Sequence, residues 1–332
     1  GLIDEALRHS VAANDIAGAA LLVVEHRHTL LDEEEFRILE RWLGTLSPEV
    51  IEGNVNLLLA KAWLLENKFR HEEIPPLLEQ AATLLRDDAA MTDRERAVLG
   101  GEIAVFWAIL FYWMGQGQLC MESAEHAVAV TPIEHRLVRG VVLTFRASAY
   151  QLVGQLDRAY EEIHKVMAAG GQTGAFTDRA YGALMAVELL AGNLSGLEQA
   201  AQRQVSFTEA RLLYTSLGWA RLALGHVHYQ RNDLRTADQE FTQVVELRDR
   251  THDTVVAHGY YGKALCLQAQ GKPDLAQAVS QAAIDLAIET ENAYLLLEAE
   301  SFASRLALLQ GEVPDVSRWM APFGEEIPLM FM

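Results

Sequence analysis

Eleven histidines are the residues of this 332-residue sequence most able to do chemistry. Imidazoles ligate metals and carry protons near neutral pH, but the spacing here argues against both. His26 and His28 are two apart, and so are His226 and His228. Residues two apart on a helix point to different faces, so neither pair forms the i, i+4 arrangement of a helical zinc site. Cys120 and Cys266 lie 146 residues apart, which is neither a disulfide framework nor a metal knuckle. A reducing cytoplasm is the expected compartment. Glu33-Glu34-Glu35 reads as a solvated helix start favoured by the helix dipole. Calcium loops and a G-x-S-x-G elbow are absent. No G-x-x-x-x-G-K-[ST] loop occurs, and "GGQTG" at 170 to 174 lacks the lysine. The expectation is therefore a binding protein with no catalytic residue, no metal and no cofactor in this segment.

Composition narrows the partners. The chain carries 46 acidic against 27 basic residues, a net charge of −19. Nucleic acid binding needs a basic stripe, and none is present. Half of the residues are hydrophobic, enough for a large core and too many for disorder. No run of about 18 uncharged apolar residues suggests a membrane span. The richest segment, Ile103 to Met114 ("IAVFWAILFYWM"), has the length of a buried helix, and no signal peptide is expected in the charged opening "GLIDEALRHS".

The elements that must position any site are read from a recurring phrase: Gly or Asn, a polar residue, then an apolar one, after a helical run. It occurs at Asn14, Asn67, Gly117, Gly154, Gly192, Asn232, Gly271 and Gly311. From Gly117 the steps are 37, 38, 40, 39 and 40 residues; the first two are 53 and 50. The phrase is a helix stop, with Gly or Asn supplying the left-handed residue after the last turn. Small residues five further on, such as Ala159, Ala237 and Ala276, suit the close approach of two antiparallel helices. Thr92 to Glu95 reads as a capping box, Thr131 to Glu134 as another, and Ser47-Pro48 as a cap-plus-proline start. Sustained period-two alternation is absent. The expected fold is all-α: a right-handed α-superhelix, a TPR-like solenoid of about eight helical hairpins with a period near 39 residues, forming a single domain over 1–332.

Counting the turn residue as position 15 of a tetratricopeptide repeat puts Gly225 at 8, Ala237 at 20 and Phe241 at 24, which match the expected types. The same register sends positions 2, 5 and 9 to a concave face, the usual binding surface of such solenoids. It nominates Trp107, Phe111, Arg179, Trp219, His226, His258, Tyr261, Glu298 and Arg305 as ligand- or partner-binding residues. A purely structural face would carry more Ala, Leu and Glu, whereas aromatics and Arg are enriched at binding sites. For the aromatics of "FWAILFYWM", core packing is the competing explanation.

The chain resembles the helical sensor region of the MalT-like regulators, the large ATP-binding members of the LuxR type. The resemblance is carried by residues 1–26 ("GLIDEALRHSVAANDIAGAALLVVEH"), 39–51 ("LERWLGTLSPEVI") and 57–69 ("LLLAKAWLLENKF"), with Gly1, Glu5, Ala6, Trp42, Ala62 and Trp63 at the family's positions. The segment Trp319 to Phe323 resembles the family's last sensor repeat. Serine interrupts the family's Leu-Pro at Leu46-Ser47-Pro48, and Asn54-Val55-Asn56-Leu57 departs from its Pro-x-Leu. On this resemblance, 1–90 are family-specific N-terminal hairpins and 91–332 regular repeats. The apolar "IPLMFM" at 327–332 suggests a segment of a longer regulator. The resemblance implies a small-molecule inducer in the groove, control of oligomerisation, ATP on an upstream module and a helix-turn-helix reader downstream. Self-association is a further expectation. The alternatives are a scaffold whose groove takes a peptide or partner protein, and a sensor segment of a kinase or cyclase-type protein.

Overall fold

A computed structural model describes residues 2–169, 174–210 and 213–320. Every regular element among them is helical, as expected. In order they are α1 (Leu2–Ala12), α2 (Ile16–Asp32), α3 (Phe36–Leu43), α4 (Pro48–Glu52), α5 (Val55–Asn67), α6 (Ile74–Asp87), α7 (Asp93–Trp113), α8 (Gly117–Val130), α9 (Arg136–Leu152), α10 (Leu156–Ala169), α11 (Gly174–Leu190), α12 (Leu194–Glu209), α13 (Tyr214–Gln230), α14 (Leu234–Glu246), α15 (Asp253–Ala269), α16 (Pro273–Glu289), α17 (Ala293–Leu309) and α18 (Ser317–Met320), with one 3₁₀ turn at His71–Glu73. Within the chain, contacts divide into two compact units, Gly1–Ala180 and Tyr181–Met332, with α11 running across the division.

The stop phrase behaves as its chemistry requires. Asn14, Gly154, Gly192, Asn232, Gly271 and Gly311 all have φ between +59° and +82°. At Gly154 the Gln155 N–H donates to the Tyr150 carbonyl (2.7 Å) and the Gly154 N–H to the Gln151 carbonyl (2.9 Å), a Schellman closure. The polar residue of the phrase has a second task. The side chains of Asp15, Asn193 and Asp233 accept from backbone N–H groups three residues on, capping the next helix.

Two turn assignments need correction. The left-handed residue after α7 is Gly115, not Gly117, and that after α5 is Phe69, not Asn67. Gly117 opens α8, where a Cβ would lie 2.8 Å from the Leu152 Cβ; its small size serves packing. Counted from Gly115, the steps are 39, 38, 40, 39 and 40 residues. Thr92 forms the complete capping box with Glu95. Thr131 does not start a helix: its hydroxyl donates to the Ala127 carbonyl at the end of α8, and α9 begins at Arg136. Ser47 precedes Pro48 without a side-chain cap bond.

Each unit buries its own core. Unit 1 is built on Leu, Ala, Val and Phe side chains from α1 to α9, including Trp63 and Phe106 with rings 4.6 Å apart. By length and apolarity alone α7 could cross a membrane, but more than half of its apolar window is buried by neighbouring helices. In unit 2, Phe241 of α14 wedges between Gly225 of α13 and Gly262 of α15, where an added Cβ would come within 2.5 Å of its ring. Ala159, Ala237 and Ala276 are fully buried, as the close helix approach demands.

Candidate functional site

The first helices of successive hairpins share one face in unit 2, and polar side chains bridge them there. Trp219, His258 and Glu298 each lie thirteen residues before the left-handed residue that ends their helix, so they recur at the same level of α13, α15 and α17. His258 Nε2 sits 2.8 Å from Glu298 Oε1. The Trp219 indole N–H donates to His252 Nδ1 at 3.2 Å, tying α13 to the residue that caps α15. His226 stands edge-on to Phe241, with centroids 5.6 Å apart. Burial, assisted by His258, holds the His226 imidazole down at about 4, so it is neutral at pH 7.

Tyr261 lies between His258 (5.2 Å between centroids) and Phe302, on which it stacks at 4.3 Å. Only 7% of Tyr261 is exposed, so the ring belongs to the core and one face is already covered. Burial, together with the Glu298 carboxylate, pushes the phenols of Tyr261 and Tyr294 above their ordinary range. Neither Tyr261 Oη nor Glu298 Oε2 has a hydrogen-bond partner. Arg305 is exposed further along α17.

The remaining nominated residues belong to unit 1. Trp107 and Phe111 are half-buried, stack at 5.7 Å and pack on the core. Their nomination followed the turn counted at Gly117. Counted from Gly115, the level of Trp219 and His258 is occupied on α7 by Glu102, which sequence reasoning missed. Glu102 is 2% exposed and takes a bidentate pair from Arg27 (2.6 and 2.7 Å), plus the Trp63 indole N–H at 2.7 Å. Burial alone would raise its pKa, but the Arg27 charge outweighs it and holds the carboxyl at about 2. His28 stacks on His135 at 3.7 Å, and burial lowers both imidazoles, His28 to about 3. The Leu137 N–H donates to Asp32 at 2.7 Å. Arg179 pairs with Glu34 at 3.0 Å. Thus one side of α2 is fastened to α7 and α9, and Glu34 just beyond its end to α11. Glu34 is left-handed (φ 57°), a feature of the acidic run that spacing does not reveal.

The side chains on this face offer an indole N–H, an imidazole, a carboxylate and aromatic rings. Among the described residues, no group of three or more His, Cys, Asp or Glu could hold a metal ion. Burial pushes the thiols of Cys120 and Cys266 up to about 12, which removes them as nucleophiles. "GGQTG", up to Thr173, and the segments Pro322-Phe323 and "IPLMFM" lie outside the described residues; Trp319 donates its indole N–H to Ser304 Oγ at 3.0 Å.

Comparison with known proteins agrees with this architecture. A family profile described as the MalT-like TPR region matches residues 101–329. The HTH-type transcriptional regulator MalT of Serratia proteamaculans is 28% identical over 155 residues, 47% of this chain and 17% of that protein. The MalT of Yersinia pestis is 26% identical over the same shares. The matched stretch is thus about a sixth of these relatives' length. Among solved structures, a Rap protein complexed with competence and sporulation factor superposes with a TM-score of 0.63, at 11% identity, covering 92% of this chain and 86% of that one. A signal transduction ATPase with a tetratricopeptide repeat sensor from Pyrococcus horikoshii gives 0.53 at 11% identity, covering 87% and 46%. These two likenesses are of fold.

Proposed function

The chain belongs to the MalT-like TPR region family, and on that premise we propose that it is the effector-sensing segment of an ATP-dependent transcriptional regulator. An inducer would bind the face lined by Trp219, His226, His258 and Glu298. ATP would occupy a module outside this segment, a helix-turn-helix reader would contact DNA, and the cytoplasm is the compartment this reading implies. The observation that carries the proposal is the run of polar bridges between successive first helices, Trp219–His252 and His258–Glu298. A molecule held across those helices would change how adjacent hairpins sit on one another. It can bias a switch only by its differential affinity for two arrangements, and side chains that join repeats are where such a difference arises. Self-association controlled by that bias completes the mechanism.

The test is a metabolite screen by thermal unfolding. A ligand at about 100 times its dissociation constant should add roughly 2.7 kcal/mol of stability. Trp219→Phe keeps an aromatic ring at the position and removes the N–H that reaches His252, so it should weaken binding while preserving the fold. Tyr261→Ala is unsuitable, because the ring is core. The second reading, a groove for a peptide or partner protein, is favoured by the net charge of −19, which would attract basic partners. It prevails if no metabolite shifts the transition and a basic peptide does.

A further inference from the structure

We infer that the cluster around Glu298 is a cation subsite that takes a primary ammonium or guanidinium group of the ligand. This deepens the sensing reading and rests on it.

The charge balance comes first. Glu298 is half-buried on α17, its side chain 17% exposed, and its ion-pair partner is the His258 imidazole. No lysine or arginine among the described residues pairs with it. Lys263, on the neighbouring helix, is engaged by Asp238 at 3.4 Å. A partly desolvated carboxylate facing a histidine alone retains most of its appetite for a counter-charge.

The donors and acceptors point the same way. Glu298 Oε2 accepts nothing, and Tyr261 Oη beside it is unpartnered in a residue that is 93% buried. Burial, with the Glu298 carboxylate adding to it, keeps the phenols of Tyr261 and Tyr294 protonated. A carboxylate's last torsion is soft, so a small rotation presents Oε2 to the groove without disturbing α17. An N–H-rich cation would satisfy that oxygen and the lone pairs of the Tyr261 hydroxyl. An anion would meet only repulsion. A neutral polyol would desolvate the carboxylate further without compensating its charge.

The walls complete the site. His258, Tyr261 and Phe302 form a continuous aromatic run, with centroids 5.2 and 4.3 Å apart. Tyr261 and Phe302 are buried, so the half-buried His258 is the ring that the apolar stem carrying an ammonium would meet. The −19 charge of the chain raises the local concentration of such ligands.

Benzylammonium and its neutral analogue benzyl alcohol, titrated into the whole chain, test this. The readout is the His258 ring resonances, assigned by their loss in His258→Gln. Benzylammonium should give a saturable shift and benzyl alcohol none. Glu298→Gln, which keeps an amide oxygen toward His258, should weaken benzylammonium roughly tenfold or more, the scale of a charge-assisted hydrogen bond. Raising the salt concentration should weaken wild-type binding as well, and that measurement needs no variant to fold. Equal binding of the two probes, unchanged affinity in Glu298→Gln, or salt-insensitive binding would each overturn the subsite. An effector whose binding is reduced in Trp219→Phe but intact in Glu298→Gln would overturn the subsite and leave the sensing reading standing. Absence of any binding to this face would sink both.

Discussion

At the scale of single residues, the buried charges decide what the chain tolerates. Arg27 and Glu102 form a bidentate pair with both side chains almost wholly out of water. Such a pair adds little net stability, because desolvation nearly cancels the attraction, but removing one partner strands the other. Arg27→Met should therefore cost about 3–5 kcal/mol, and Arg27→Met with Glu102→Met should recover most of it. Urea unfolding of both variants checks this, and an equal loss in the double variant would refute it. The pair was invisible to spacing arguments: its members are 75 residues apart and look like any surface Arg and Glu. The imidazoles set the pH response. Burial holds His28 at about 3 and His71 and His226 at about 4, against 6.5 in an unfolded chain. Below about 6.5 the unfolded chain binds protons there and the folded chain does not, so these residues make stability fall as pH drops toward 4. Glu66 opposes them. Burial raises it from 4.5 to about 7, so its contribution is present at low pH and lost as pH rises through that window. Burial also lowers His135 and raises Asp32 and Glu34, and with four imidazoles against three carboxyls the urea midpoint should still be lower at pH 5.5 than at pH 7.5. His226→Gln should flatten the difference; a midpoint that rises on acidification would contradict the assignment.

At the scale of elements, the hairpins were legible because their punctuation is chemical. A Gly or Asn after a helical run has few other uses, and six of the eight assigned turns carry the left-handed residue where expected. The two misplacements have different causes: near Gly115-Gln116-Gly117 two glycines fit one pattern and only packing separates the left-handed one from the one pressed on Leu152, whereas after α5 the left-handed residue is Phe69, a type the pattern does not include. Two residues of slippage turn a helix by about half a circle, which is why Trp107 and Phe111 replaced Glu102 in the nominated set. In unit 2 the register put His258 and Glu298 at the same level of neighbouring helices, where the structure pairs them, but it also nominated Tyr261, which is core. Two glycines separate the possible roles. At Gly154 (φ +77°) a Cβ meets nothing within 4 Å, so Gly154→Ala should cost about 1–2 kcal/mol through backbone strain, and Gly154→Asn less. Gly225 has ordinary helical φ, but its Cβ would lie 2.5 Å from the Phe241 ring, so Gly225→Ala should cost about 1–3 kcal/mol through overpacking. Combining Gly225→Ala with Phe241→Leu should restore part of that loss, whereas Phe241→Leu should do nothing for Gly154→Ala. Thermal unfolding of these five variants distinguishes strain from crowding.

At the scale of the whole molecule, the charge of −19 acts on every charged ligand, while the proposed contacts at Trp219, His258 and Glu298 would act only on the one bound there. The two contributions differ in their response to salt. Long-range attraction between exposed charges is screened over about 8 Å at physiological ionic strength, and contacts in half-buried sites are screened less. A basic peptide or protein that docks by complementarity with the acidic surface should bind fast at low salt and lose association rate steeply as salt rises, with its dissociation rate little changed. A small monocation held at Glu298 has few long-range charges of its own. It should lose affinity more gently, and the loss should shrink in Glu298→Gln to what the remaining acidic surface contributes. A neutral inducer resting on Trp219 should ignore salt altogether. Stopped-flow or surface-binding rates between 0.05 and 0.5 M NaCl therefore assign a ligand to one of three classes before its pose is known. A peptide whose dissociation rate, rather than its association rate, carries the salt dependence would be seated in the half-buried site, and the acidic exterior would then have no part in recognising it.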